Sequence, residues 1–189
     1  MTKLILHFAF ITLSPIAMSA QIITYVNFGG GLSTFSTEFD DLTLVPSVGL
    51  SLKAYEKNGL SIAPGLLYQQ RAQNSNVSPD VSISLRMHTI NVEFPLEYKA
   101  PVGVTFNLGY YYSLPLYSAA GITANGETVR EKVVLGDDAG AMAGIGFSAD
   151  KWAVKVTYKH GLNPVDDRAY GRAFFLQFLW AIHKSDYHP

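Results

Sequence analysis

The residues best suited to chemistry are one serine, two histidines and scattered acids. Ser84 and His88 lie four residues apart, Glu93 is close in sequence, and His160 is a second candidate base. Serine, histidine and an acid form the nucleophile, base and orienting group of acyl-transfer enzymes when they lie within hydrogen-bond reach. Along a strand, however, Ser84 and His88 would be separated by about 13 Å, which is too far. An outer-membrane lipid-modifying enzyme therefore stays an alternative that needs a serine from a neighbouring strand.

Three pairs of adjacent aspartates, Asp40-Asp41, Asp137-Asp138 and Asp166-Asp167, could supply oxygen ligands to divalent cations or bridge lipopolysaccharide through them. Solvated acids in polar loops are the simpler interpretation. The chain has no cysteine, which excludes disulfides, thiol nucleophiles and cysteine-bound metals. We expect no catalytic residue, no metal site and no cofactor, and a protein that is not an enzyme.

The composition narrows the fold class that must position these residues. The chain has 189 residues, 48% of them hydrophobic, only 15% charged and 13% aromatic, with 14 basic against 15 acidic side chains. The near-zero net charge gives no excess of basic residues that would indicate nucleic-acid binding. Beyond the N-terminus no apolar run is long enough for a membrane-spanning helix. Such a chain is either a soluble β protein or a membrane β-barrel.

The first twenty residues have the pattern of a secretory signal peptide. Lys3 gives a positive start, Leu4 to Met18 is apolar, and small residues surround Ala20. We therefore divide the chain into a signal peptide over 1–20, a β-barrel domain over 21–183 and a short polar tail over 184–189.

The rest of the chain alternates with a period of two, which indicates strands. In the clearest stretch, Ile90, Val92 and Phe94 fall on one face while Asn91 and Glu93 fall on the other. The same pattern predicts eight strands: Ile23 to Phe35, Thr43 to Tyr55, Leu60 to Arg71, Arg86 to Lys99, Val104 to Leu116, Asp138 to Ala149, Trp152 to His160 and Phe174 to Trp180.

The predicted connections alternate between short and long. The short turns are Glu56 to Gly59, Ala100 to Gly103 and Asp150-Lys151, and the long loops are Ser36 to Leu42, Ala72 to Leu85, Ser118 to Asp137 and Leu162 to Tyr170. In an antiparallel up-and-down barrel of eight strands, all short turns lie at one end, together with both termini. Bacterial outer-membrane barrels have short periplasmic turns and long extracellular loops.

Size decides which face points inward. Eight strands enclose an interior that side chains only just fill, so the bulky face must point outward and the face rich in Gly, Ser, Ala, Asn and Thr must line the lumen. A tall outward apolar band is ordinary in lipid, where closed barrels satisfy the backbone. The prediction is an all-β, eight-stranded transmembrane barrel. The alternative is a secreted soluble barrel of lipocalin type, with apolar residues inside.

Charged residues on the inward face form a predicted polar network. They are Lys53, Arg71, Glu93, Glu97, Lys99, Asp138, Lys155 and Lys159. Buried charges need partners, so we interpret them as a structural network that plugs the lumen. A narrow path for small solutes is the functional alternative.

Five segments resemble, in order, those of the PorT-like outer-membrane β-barrel family of Bacteroidota. They are Gly29–Ser33 (GGGLS), Asn91–Lys99 (NVEFPLEYK), Phe106–Tyr110 (FNLGY), Asp137–Phe147 (DDAGAMAGIGF) and Tyr158–Leu162 (YKHGL). The resemblance implies an outer-membrane, eight-stranded barrel without implying an activity. The expected partners are outer-membrane lipid or lipopolysaccharide, and envelope or secretion-apparatus proteins, since the family's namesake is tied to type IX secretion.

Overall fold

The computed structural model describes residues 21–35, 42–55, 57–163 and 170–185. They form an all-β chain with one short 3-10 turn at Lys57–Gly59. The ten strands are β1 (Gln21–Thr34), β2 (Thr43–Tyr55), β3 (Leu60–Ile62), β4 (Gly65–Ser78), β5 (Val81–Lys99), β6 (Val104–Ala124), β7 (Glu127–Lys132), β8 (Asp138–Ser148), β9 (Trp152–Gly161) and β10 (Arg172–Lys184). The predicted signal peptide lies outside the described residues.

All ten strands belong to one antiparallel sheet. Its order is β3-β5-β4-β2-β1-β10-β9-β8-β6-β7, with further pairings of β3 with β2 and of β5 with β6. The ladder between β5 and β6 runs from Val81–Ala124 to Lys99–Thr105. As a result β1, β2, β4, β5, β6, β8, β9 and β10 each pair with two neighbours in a circuit that returns to its start.

The predicted count of eight strands is therefore two short. One extra strand arises because Ala63 and Pro64 split a single predicted strand into β3 and β4. Proline has no N–H to give to a ladder, and here its carbonyl instead accepts a hydrogen bond of 2.8 Å from the Leu52 amide. The short β3 still bridges β2 and β5.

The second extra strand, β7, lies in a segment predicted to be a long loop. Residues 72–85 and 118–137 were expected to be loops, whereas β4, β5, β6 and β7 extend through most of them. Asn125 and Gly126 link β6 to β7 with positive φ angles of 51° and 83°, as a two-residue hairpin turn requires. Apart from Ala72, Ser118 and Gly121, the residues of these extensions are exposed or half-buried, so their polar composition is compatible with strands.

The sheet separates an exposed apolar wall from a buried interior. On the wall, Leu66 and Leu50 are cross-strand neighbours that expose 54% and 51% of their surface, while Leu67, one residue along, is fully buried. The prediction of an outward bulky face holds along the strands. The interior also holds bulky residues: Leu67, Met87, Phe175 and Leu179 are buried beside the polar side chains. No helix among the described residues is long and apolar enough to cross a membrane.

Candidate functional site

A triad of charges joins three strands inside the barrel. Glu97 of β5 accepts a hydrogen bond from Lys53 of β2 through one carboxylate oxygen and from Lys155 of β9 through the other. Glu97 is fully buried, and Lys53 and Lys155 expose 3% and 9% of their surface. One carboxylate thus holds two ammonium groups that come from different parts of the circuit.

A second pair lies further along the same strands. Lys159 of β9 pairs with Glu93 of β5 and donates a hydrogen bond of 2.6 Å to the Gln69 side-chain oxygen. The Lys159 ammonium also lies over the rings of Tyr111 and Phe175, at 5.2 and 5.3 Å from their centroids. These aromatic faces stabilise a cation that is almost fully removed from water.

The third group comprises Arg71 of β4 and Asp138 of β8, both fully buried. Arg71 Nη1 and Asp138 Oδ2 lie 2.5 Å apart. The Tyr111 hydroxyl donates a hydrogen bond of 2.9 Å to the same carboxylate oxygen, and the Arg71 guanidinium lies 5.1 Å from the centre of the Tyr111 ring. Tyr111 therefore connects this pair with Lys159.

The structure places seven of the eight sequence-predicted charged residues inside the barrel, in these ion pairs. The eighth, Lys99, is half-buried at the end of β5. An unpaired buried charge would cost several kcal/mol. The strands must therefore be aligned so that each buried carboxylate lies next to a cation from another strand. The ion pairs therefore act as ties, that is, as links across the lumen between strands of the circuit.

Little free space remains around these ties. A cavity of about 10 Å³ is bordered by Lys53, Lys155 and Tyr25, and a cavity of about 20 Å³ is bordered by Glu93, Asn107 and Lys155. A single water needs roughly 10–15 Å³ measured in this way. Each space is of the order of one water molecule, which is far below the size of a nutrient or lipid.

The two candidate histidines are hydrogen-bonded to tyrosines. His88 Nδ1 lies 2.5 Å from the Tyr68 hydroxyl, and His160 Nδ1 lies 3.1 Å from the Tyr158 hydroxyl. Ser84 instead donates to the Gly121 carbonyl. The contacts that the structure shows for these groups are therefore not those of a serine nucleophile with its base.

The aspartate pairs differ in their surroundings. Asp137 is exposed and accepts a hydrogen bond from the Tyr112 hydroxyl, whereas its neighbour Asp138 is the buried partner of Arg71. The pairs at 40–41 and 166–167 lie outside the described residues. Within the described ranges, no group of three or more His, Asp or Glu side chains is arranged to hold a metal ion.

Comparison with known proteins gives a likeness of fold. No family model matches the chain, and no curated protein matches its sequence. Among solved structures, Neisserial surface protein A (NspA) matches with a TM-score of 0.50 and 12% identity over 84% of this chain and 96% of that chain. Ail of Yersinia pestis matches with a TM-score of 0.49 and 9% identity, over 87% and 100% of the two chains.

A third neighbour is the N-terminal β-barrel domain of Pseudomonas aeruginosa OprF, with a TM-score of 0.40 and 9% identity over 85% of this chain and 97% of that domain. All three neighbours are outer-membrane β-barrel proteins. At such low identity the likeness to NspA shows the fold alone. The chain forms an all-β antiparallel sheet of ten strands that resembles the outer-membrane barrels of eight strands.

Two members of the interior network, Tyr111 and Gln69, were not among the predicted charged residues. Both lie on the inward face of their strands, Tyr111 on β6 and Gln69 on β4. A lone tyrosine on a face of Gly, Asn and Ser was the signal for Tyr111, because a buried hydroxyl needs a partner. Apart from its place on the inward face of β4, no feature of the sequence marked Gln69 as a member of the network.

Gly140 is a point where this packing tolerates no side chain. A Cβ atom built on Gly140 would lie 2.0 Å from the His160 carbonyl oxygen and 2.8 Å from the Tyr111 hydroxyl. The first of these is backbone and cannot swing aside. We expect Gly140→Ala to lower the free energy of unfolding by about 1–3 kcal/mol, the usual cost of overpacking, as measured by urea titration in lipid vesicles.

The matched control is Gly30→Ala, because a Cβ on Gly30 would have a single described neighbour within 4 Å, the Val45 carbonyl oxygen at 3.2 Å. We expect a loss of no more than about 0.5 kcal/mol there. Equal losses in the two variants would show that the packing around Tyr111 is looser than described.

Proposed function

We propose that this protein is an integral outer-membrane β-barrel that does not act as an enzyme and whose role is structural and interactive, with a plugged polar lumen. One observation carries the proposal: the outer wall is apolar and exposed, while ion-paired charges are buried inside. Leu66 and Phe94, for example, expose 54% and 44% of their surface, whereas Glu97 and Arg71 expose none. A soluble barrel would have the reverse arrangement.

The height of the apolar wall suits a membrane. At one end, His88 contacts the rings of Tyr68 and Tyr117, with centroids 6.0 and 5.9 Å apart. At the other end Trp152 stacks on Phe178. On β5, Tyr98 lies ten positions after His88, which is about 34 Å of strand and about 26 Å of height at a 40° tilt. Outer-membrane barrels have an apolar band about 25 Å tall between two aromatic girdles.

The filled lumen supports a role other than transport. The ion pairs fill the lumen beside Glu93 and Lys53, where the two cavities have volumes of only about 20 and 10 Å³. The tyrosine partners of His88 and His160 likewise favour a protein without a hydrolytic site. What remains for interaction is the long-loop end, where β4 to β7 extend as hairpins.

We further propose that the short turns are periplasmic and the long hairpins extracellular, as in other outer-membrane barrels. Export would use residues 1–20 as a signal peptide. The ordered motifs support placement in the PorT-like family. Three of them lie on strands whose inward charges build the network: Asn91–Lys99 on β5, Asp137–Phe147 along β8 and Tyr158–Leu162 at the end of β9.

The test of this proposal is fractionation of cells that express the full chain, followed by detergent gels with and without boiling. We expect the protein in the outer-membrane fraction and an unboiled band that migrates differently from the boiled one, because a closed barrel resists detergent until heated. Vesicles containing the protein should not swell in small sugars. Recovery as a soluble periplasmic protein would contradict the membrane assignment, and rapid swelling would contradict the plugged lumen.

A further inference from the structure

The short strand β7 separates its charges by sign. Residues two apart on a strand share a face, so Arg130 and Lys132 lie on one face and Glu127 and Glu131 on the other. All four are exposed. The separation is not required for folding of this fully exposed strand, which pairs only with β6 among the described residues.

The register adds a third cation to the basic face. Lys132 pairs with Ala119 of β6, and Ala119 pairs with Arg86 of β5. Arg130 pairs in the same way with Gly121, which faces Ser84. Arg86 lies between Ser84 and His88 on the outward face of β5, and it is exposed.

The two β6 positions between these cations are small. A Cβ built on Gly121 would lie 3.4 Å from Arg130 Cγ and 2.7 Å from Ser84 Oγ, so the aliphatic stem of Arg130 passes over this glycine. Strand spacing places the Arg86 and Lys132 backbones about 10 Å apart, with Arg130 about 7 Å from Lys132. Ala119 therefore lies between Arg86 on one side and Lys132 on the other, and Arg130 lies next to Lys132 over the small Gly121.

Arg86, Arg130 and Lys132 lie beyond the apolar wall at the height expected for the headgroup layer of a membrane. Arg86 lies two residues beyond His88, and Ser84, level with Arg130, lies four residues beyond it. His88 is part of the aromatic row that marks the end of the apolar wall. The cations therefore lie about 5–10 Å above the row after allowance for strand tilt. This is where the phosphates of a lipid headgroup lie.

The cations are available for a ligand. Each ion pair found among the described residues lies in the lumen, and none includes Arg86, Arg130 or Lys132. Arginine presents a fork of donors that matches phosphate oxygens, and a basic cluster beside a membrane attracts anionic headgroups.

We propose that Arg86, Arg130 and Lys132 bind the phosphate groups of a phosphorylated glycolipid in the outer leaflet. The inference rests on the proposed membrane location. It assigns a lipid-binding face to the β5–β7 extension and leaves the opposite face, with Glu127 and Glu131, free for other contacts.

The experiment uses the full mature barrel refolded in phosphatidylcholine vesicles and then titrated with bisphosphorylated lipid A, with retained lipid counted by native mass spectrometry. We expect the triple variant R86Q/R130Q/K132Q to bind about 100-fold more weakly, at about 1 kcal/mol for each cation near a charged surface. Dephosphorylated lipid A should bind the unaltered protein as weakly as the phosphorylated lipid binds the variant.

Two controls isolate the site. K151Q/K184Q removes exposed cations at the short-turn end, and E127Q/E131Q changes the opposite face of β7; both should keep full affinity. Equal weakening in K151Q/K184Q, or indifference to the lipid phosphates, would overturn the inference. So would complete competition by millimolar inorganic phosphate, because the site would then bind a soluble anion. If the unaltered protein fails to insert into vesicles, the proposed function fails; if it inserts without preference for phosphate, only this inference fails.

Discussion

Replacement of Glu97 by glutamine is expected to lower the free energy of unfolding by about 3–5 kcal/mol, the cost of breaking a buried ion pair from one side. Glu97 is fully buried and is the shared partner of Lys53 and Lys155. The amide keeps the shape of the side chain but removes its charge. Two buried ammonium groups then lose the carboxylate that they share.

The measurement is a reversible urea titration of the protein in short-chain phosphatidylcholine vesicles, followed by the fluorescence of Trp152 and Trp180. The matched control is Glu127→Gln, because Glu127 is an exposed acid on β7 and its loss should change the free energy of unfolding by no more than about 0.5 kcal/mol.

A second substitution separates charge from packing. Adding Lys53→Met to the Glu97→Gln variant removes one of the two ammonium groups that have lost the Glu97 carboxylate. It should restore part of the lost stability, since apolar replacements of buried ion pairs are often neutral or stabilising. An unchanged Glu97→Gln variant, or one that Lys53→Met weakens further, would show that the triad does not tie the lumen.

The wall and the interior could be predicted from the sequence because alternation carries their information directly. On β5 the residues from Ile90 to Glu97 alternate without a break, and the structure exposes Phe94 and buries Glu93 and Glu97 as that pattern predicts. The size of an eight-stranded interior then fixes which face points inward. Neither step needs knowledge of the partner strands.

The hairpin extensions could not be predicted in the same way. Beyond the apolar wall the strands have exposed or half-buried residues on both faces, so alternation weakens, and segments such as Asn74 to Asn76 have the composition of a loop. Their strand conformation comes from pairing with β5, which is a tertiary effect. Propensity gives little warning of it.

The sequence also could not predict which side chains pair with each other inside the lumen. Alternation places Arg71 and Asp138 on inward faces, but their meeting depends on the stagger between β4 and β8, which are separated in the sheet by β5 and β6. The same holds for Tyr111, whose hydroxyl reaches Asp138. Register around a closed circuit is set by all strands together, so a single strand's pattern does not reveal it.

An arginine placed in the middle of the apolar wall should have a large cost only if that wall faces lipid. Leu66 is exposed, and its neighbour across the strands is Val92, four residues from His88 and six from Tyr98 on β5. Leu66→Arg is therefore expected to lower the free energy of unfolding in vesicles by about 2–4 kcal/mol, the cost of a lipid-facing cation at the midplane.

The depth dependence of that cost is the decisive part. Leu44 exposes 78% of its surface and lies near the start of β2, towards the long-loop end, where an arginine can reach the headgroups. Leu44→Arg should therefore cost about 0–1 kcal/mol. In a water-soluble barrel both substitutions replace exposed leucines and would change stability by no more than about 0.5 kcal/mol each. Equal small effects at the two positions, measured by urea titration in the same vesicles, would mean that this wall does not face lipid.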